Sequence, residues 1–201
     1  PSAQASVQVI AHRGASHFES ENTLAAFSKA VELRADFVEI DVRRTDDGHL
    51  VILHDSQVNR TTSGNGAVAK MSWESVQGLG IPSLEETLLL VKGKPLRLIV
   101  ELKDSEIELP VLQMIEKHGM QKQVVLKSFD RETLRKLRAL APTIPQIFVF
   151  VLAWPGVDFM ISNRPEFFNV WNAPVEYLQV KVEFLCRSFV EKAHAKGFKV
   201  I

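Results

Sequence analysis

The chain has 201 residues, enough for one sizeable domain with a real core. Its 24 Lys and Arg match its 24 Asp and Glu, so it is not a general polyanion binder such as a nucleic-acid-coating protein. The longest apolar run, residues 147–154, is too short to span a bilayer, and the single cysteine, Cys186, excludes an intrachain disulfide.

The first residues carry an A-x-A pattern, Ala3 and Ala5. It matches the scar of a removed signal peptide as well as a trimmed linker, and a cytoplasmic location is favoured over export. A first strand is expected over 7–12. A helix over 22–34 follows, with Leu24, Phe27 and Val31 on its inner face and Asn22 as its cap. The next strand, 37–42, is built from Phe37, Val38, Ile40 and Val42, with Glu39, Asp41 and Arg43 at every second position. In a strand those three share one face. Residues 44–82 break the pattern with a turn at Asp46-Asp47-Gly48, a short strand over 49–54 and a Gly-rich loop. They are expected to form an insertion over the active-site end.

Ser83 and Glu86 form a capping box that opens a helix closed by Gly93. A strand over 96–103 carries Glu101 and Lys103 on one face. Helix 106–118 ends at Gly119, strand 123–129 follows, and Asp130 opens a helix that stops before Pro142. Strands over 146–152, 176–180 and 198–201 complete the series, with a helix over 188–197. Cys186 is expected to be a small buried hydrophobe. Strands alternating with helices imply parallel pairing, and seven of them suit a (β/α) barrel or a doubly wound sheet within a single domain, residues 1–201. No G-x-G-x-x-G or P-loop pattern follows any strand, so the usual nucleotide signatures are missing.

Polar residues gather at the carboxyl ends of the strands, where barrel active sites lie. They are His12 and Arg13, then Glu39 and Asp41, then Glu101 and Lys103, with His54 ending the short strand of the insertion. At ~4 Å and an effective dielectric of ~20, each pair of bare carboxylates costs roughly 4 kcal/mol. An all-oxygen acidic set therefore suits a hard divalent cation, Mg²⁺ or Ca²⁺, better than zinc. The alternative is a structural salt-bridge network of Glu39, Asp41 and Glu101 with Arg43 and Lys103. His12 and His54 each end an apolar strand and have the side-chain chemistry for proton transfer. His17, His49, His118 and His194 read as structural. Arg13 can hold a phosphate through its planar fork, and Lys103 can neutralise charge on a phosphoryl oxygen. Together these groups spell hydrolysis of a phosphate ester, with one histidine activating the attacking oxygen and the other protonating the leaving alkoxide.

The segments "IAHRGAS" (10–16), "ENTLAAF" (21–27), "EIDVRRTDDGHLVILHD" (39–55), "RTTSGNG" (60–66), "IPSLEE" (81–86), "IVELK" (99–103) and "SFD" (128–130) together resemble the glycerophosphodiester phosphodiesterase family. The resemblance implies a TIM-type (β/α)₈ barrel with a small insertion after the second strand, matching residues 44–82. It also implies cleavage of a glycerophosphodiester to an alcohol and glycerol 3-phosphate with one divalent cation, Mg²⁺ or Ca²⁺. In that scheme Glu39, Asp41 and Glu101 are the metal ligands, His12 and His54 the acid–base pair, and Arg13 and Lys103 the phosphate contacts. Family chains continue into an eighth strand, so a chain ending at Ile201 is expected to lack the last strand. Competing readings are a lysophospholipase D or sphingomyelinase D-like activity on a lipid diester, a phosphate-ester binding module without turnover, and a metal-dependent sugar isomerase. The lipid reading would use Trp154, Phe159, Phe167 and Phe168 as an apolar rim. No nucleic acid or transmembrane segment is expected, and nothing fixes an oligomeric state.

Overall fold

The computed structural model describes residues 8–150, 171, 173–180 and 185–201. The proposed apolar rim and the A-x-A segment lie outside them. The chain divides into two compact units, residues 1–125 and 126–201.

The first unit holds the parallel strands β1 (Ile10–Ala11), β2 (Phe37–Arg44) and β4 (Arg97–Leu102), with β2 between the other two. The register sets Asp41 opposite Glu101 and Glu39 opposite Ile99. The alternation read from residues 37–43 is therefore realised on both β2 and β4, and the two acidic faces coincide. A third carboxylate joins the two of β2 only because of this register.

Helix α1 (Leu24–Glu32) follows β1 but is capped by Thr23, whose hydroxyl accepts the Ala26 amide. Asn22, the expected cap, instead has a left-handed backbone at φ 56° and is buried. The buried face of α1 is Ala26, Phe27 and Ala30, with Leu24 and Val31 only partly covered. Small residues face inward because the chain passes close to the helix here: Ala15 N–H donates to Ala26 O at 3.0 Å.

The expected turn joins β2 to β3 (Leu50–Ile52), an antiparallel partner that pairs Val42 with Ile52 and Arg44 with Leu50. Gly48 sits in it at φ +88°, a conformation that suits glycine. The Gly-rich stretch is more ordered than its composition suggests. It contains a 3₁₀ turn, Val68–Lys70, and the five-residue helix α2, Trp73–Gln77. Val51, Leu53, Val58, Val68, Val76 and Ile81 close into a core of their own beneath them. Helix α3 (Leu84–Val91) opens on the expected capping box, Ser83 with Glu86, and α4 (Glu108–Lys117) ends before Gly119 at φ +66°.

Strand β5 (Val124–Ser128) runs from the first unit into the second, where it pairs in parallel with β6 (Gln146–Val149), β6 with β7 (Tyr177–Gln179), and β7 with β8 (Lys199–Val200). Helix α5 (Arg131–Leu140) is capped by Asp130 as expected, its carboxylate accepting the Glu132 and Thr133 amides. Helix α6 (Arg187–Ala195) precedes β8. Cys186 is its exposed N-cap and not a buried residue. A helix start leaves amides to be satisfied and chain turning outward, so the apolar neighbours of Cys186 did not carry it inside. Among the described residues, seven strands have parallel partners: three in the first unit, three in the second, and β5, which runs from one into the other.

Candidate active site

All seven residues singled out in the sequence lie in the first unit. Glu39, Asp41 and Glu101 are 1%, 1% and 2% exposed, and each offers an oxygen within 4.8 Å of the others'. Carboxylates this deep lose most of their hydration, a cost of several kcal/mol per ion unless charge and hydrogen bonds replace it. Cationic and polar groups surround them. Lys103 Nζ lies 2.6 Å from Glu101 Oε1 and 3.7 Å from Asp41 Oδ1. The Arg13 backbone amide donates to Glu39 Oε2 at 3.0 Å, and Arg13 Nε lies 3.6 Å from Asp41 Oδ2. Asn22 Nδ2 donates to Asp41 Oδ2 at 2.8 Å. His12, with its side chain 59% exposed, brings Nε2 to 3.9 Å from Glu39 Oε2.

The salt-bridge alternative is thus realised in part, through Lys103. Arg43 does not join it: its guanidinium donates to His54 O and to Asp104 Oδ1. Lys103 and Arg13 bring two positive charges to three carboxylates, so negative charge is left over. Asp41 Oδ1 is also buried without a hydrogen bond. A compact all-oxygen set with surplus negative charge and an orphaned carboxylate oxygen fits a hard divalent cation.

Arg13 stands at φ 58°, a left-handed conformation that non-glycine residues seldom adopt. Gly14 follows at φ +81°, and a Cβ there would meet Ala26 Cβ at 2.7 Å and Ala26 C at 2.8 Å. The two residues together turn the chain sharply out of β1, so that the Arg13 amide faces Glu39.

His54 lies just beyond β3. Its Nδ1 is 2.6 Å from Asp55 Oδ1. Since a carboxylate can only accept, Nδ1 carries the proton and Nε2 is left for other partners. Arg60, then His54, hold Asp55 far below the usual carboxylate range. Arg60 donates from Nε to Asp55 Oδ2 at 2.5 Å and from Nη1 and Nη2 to Glu21 Oε2 and Oε1 at 2.9 and 2.7 Å. Glu21 Oε1 also accepts from Arg13 Nη1 at 3.0 Å, and Glu21 too is held below its ordinary value, mainly by Arg60. His54, Glu21 and Asn22 border one cavity of about 150 Å³. Glu21, Asp55 and Arg60 join the site without having been singled out by residue type, although each sits in one of the quoted motifs, and Asn22 joins it as a partner of Asp41 and not as a helix cap.

Comparison with known proteins agrees with this geometry. Residues 12–201 match the model of the glycerophosphoryl diester phosphodiesterase family. A glycerophosphodiester phosphodiesterase of Caldanaerobacter subterraneus subsp. tengcongensis is 36% identical over 152 residues, covering 67% of this chain and 63% of that protein. The chain therefore spans just under two thirds of that relative. A protein named putative glycerophosphodiester phosphodiesterase YhdW of Bacillus subtilis is 31% identical over 209 residues, covering 96% of this chain and 83% of that one. The solved structure of an Oleispira antarctica phosphodiesterase in complex with the product sn-glycerol-3-phosphate superposes with a TM-score of 0.81 at 27% identity, over 96% of this chain and 83% of that one. The α/β architecture is thus the TIM-type barrel of these enzymes, and the chain belongs to the glycerophosphoryl diester phosphodiesterase family.

Proposed function

We propose that the chain is a metal-dependent phosphodiesterase that hydrolyses glycerophosphodiesters to an alcohol and glycerol 3-phosphate. The observation that carries this reading is the buried triad of Glu39, Asp41 and Glu101, with an orphaned oxygen on Asp41 and two cationic side chains beside it. The triad would hold one divalent cation, Mg²⁺ or Ca²⁺. When bound, such an ion supplies polarisation of the phosphoryl oxygens. Arg13 and Lys103 bind and orient the phosphodiester, offering planar and point-charge donors to its oxygens. His54, its Nδ1 proton held by Asp55, presents Nε2 for proton transfer, and His12 is its counterpart. One takes the proton of the attacking oxygen and the other gives a proton to the departing alkoxide.

In this reading residues 44–82 are a small insertion over the mouth of a single barrel domain. It is supported by their separate apolar core and by their delivery of His54 and Arg60. The choice of a glycerophosphodiester as substrate is supported by family membership and by the product in the Oleispira antarctica phosphodiesterase structure. No helix among the described residues is long and apolar enough to cross a membrane. The reading is tested by offering glycerophosphocholine and lysophosphatidylcholine, each with divalent cation. Release of glycerol 3-phosphate from the first supports it. Release of choline from the lysolipid alone would move the chain to a lysophospholipase D activity, and turnover of neither would overturn the phosphodiesterase reading.

A further inference from the structure

We propose that Arg60 is a positioning residue that sets both the phosphate-binding Arg13 and the proton-transferring His54, through two separate carboxylates. Its fork closes on both oxygens of Glu21, and Glu21 Oε1 in turn accepts from Arg13 Nη1. Its remaining edge, Nε, holds Asp55 Oδ2, while Asp55 Oδ1 accepts from His54 Nδ1. One guanidinium thus ties the loop after β1 to the loop after β3. A fixed planar set of donors can grip two carboxylates at defined angles; a lysine ammonium cannot.

Each branch has a distinct consequence. Along the Asp55 branch, the carboxylate is pinned with its second oxygen toward His54. The imidazole keeps its proton on Nδ1 and leaves Nε2 available. Along the Glu21 branch, a carboxylate that would otherwise draw Arg13 fully to itself is shared between two arginines. Arg13 is held through Nη1, and its Nε, buried without a hydrogen bond, stays 3.6 Å from Asp41 Oδ2 at the edge of the triad. Arg60 also favours the ionised form of both carboxyls, since its hydrogen bonds are the largest cause holding Glu21 and Asp55 below their ordinary values. Arg60 is 46% exposed, so it is built into the rim of the site and not into the core. Its loss should leave the fold standing.

For its kinetic test this inference rests on the phosphodiesterase reading. Arg60→Ala is expected to lower kcat/KM for glycerophosphocholine by about 10²-fold, as misplaced catalytic groups do, through both kcat and KM. In an Asp55→Ala background the same change should leave kcat where it is and still raise KM. In a Glu21→Ala background it should lower kcat and leave KM where it is. Arg60→Lys should recover only part of the loss. Equal losses in all three backgrounds, or no loss in the wild-type background, would overturn the proposal. A second readout does not need turnover: long-range ¹H–¹⁵N correlation of the His54 ring. The proton is expected on Nδ1 in the wild-type chain and distributed over both nitrogens in Arg60→Ala. An unchanged tautomer in Arg60→Ala would overturn the His54 branch even if the wild-type chain released no glycerol 3-phosphate, an outcome that by itself would count against the function and not against Arg60.

Discussion

Asn22 Nδ2 donates to Asp41 Oδ2 at 2.8 Å, joining the loop after β1 to the middle acid of the triad. Asn22 is buried, and its own amide donates to Arg13 O at 2.9 Å, so a short left-handed stretch of chain fixes its side chain. Partners of this kind orient a ligating carboxylate, and their removal costs 10–100-fold in metal affinity. Asn22→Ala is therefore expected to raise the divalent concentration for half-maximal activity by about 10-fold or more. An unchanged requirement would show that Asp41 is oriented by other means.

Gly14 is the second device in that loop. With φ +81° and Ala26 Cβ only 2.7 Å from where its own Cβ would stand, alanine meets both backbone strain and a clash with helix backbone that cannot yield. Gly14→Ala should lose about 2 kcal/mol or more in urea-induced unfolding. A midpoint equal to that of the parent chain would contradict the close approach.

Acid should weaken the turn that leads from β2 into β3. The Thr45 hydroxyl, the Trp73 amide and His49 hold Asp47 down to about 2 from its ordinary 3.8. A lowered folded-state pKa stabilises the fold above the unfolded value, and the contribution disappears as pH falls through the folded one. The thermal midpoint should thus fall between pH 4 and pH 2, with a shallower slope in Asp47→Asn. Parallel slopes in the two chains would remove Asp47 from the acid response.

His12 and His54 are exposed and half-buried, so their removal should spare the fold and strike the chemistry. Each alanine variant should turn over glycerophosphocholine roughly 10²–10⁴-fold more slowly, the usual contribution of an acid–base group. Rates near wild type in both would take them out of the mechanism.

The triad was legible because side-chain alternation is a local rule: Glu39 and Asp41 had to share a face, as did Glu101 and Lys103. What the rule does not contain is the register of β2 on β4. That register sets Asp41 beside Glu101 and makes three acids one site. Asn22 and Thr23 are both good caps, and the left-handed turn that gives the cap to Thr23 depends on contacts with Arg13 and Asp41, far along the chain or on another strand. Arg60 was hidden for a similar reason. Its loop takes its path from apolar contacts spread over residues 51–81, and a five-residue helix such as α2 is too short to show a period. Cys186 was misplaced because apolar neighbours signal burial only inside an element, and it stands at the start of one.

Glu39, Asp41 and Glu101 are expected to bind one divalent cation. Calorimetric titration of Mg²⁺ and Ca²⁺ into the chelator-treated chain, alongside Asp41→Asn, tests this most directly. The account predicts one ion per chain for the parent and loss of that binding in the variant, with glycerol 3-phosphate release returning only as the site fills. No binding by the parent, or equal binding by both chains, would contradict it.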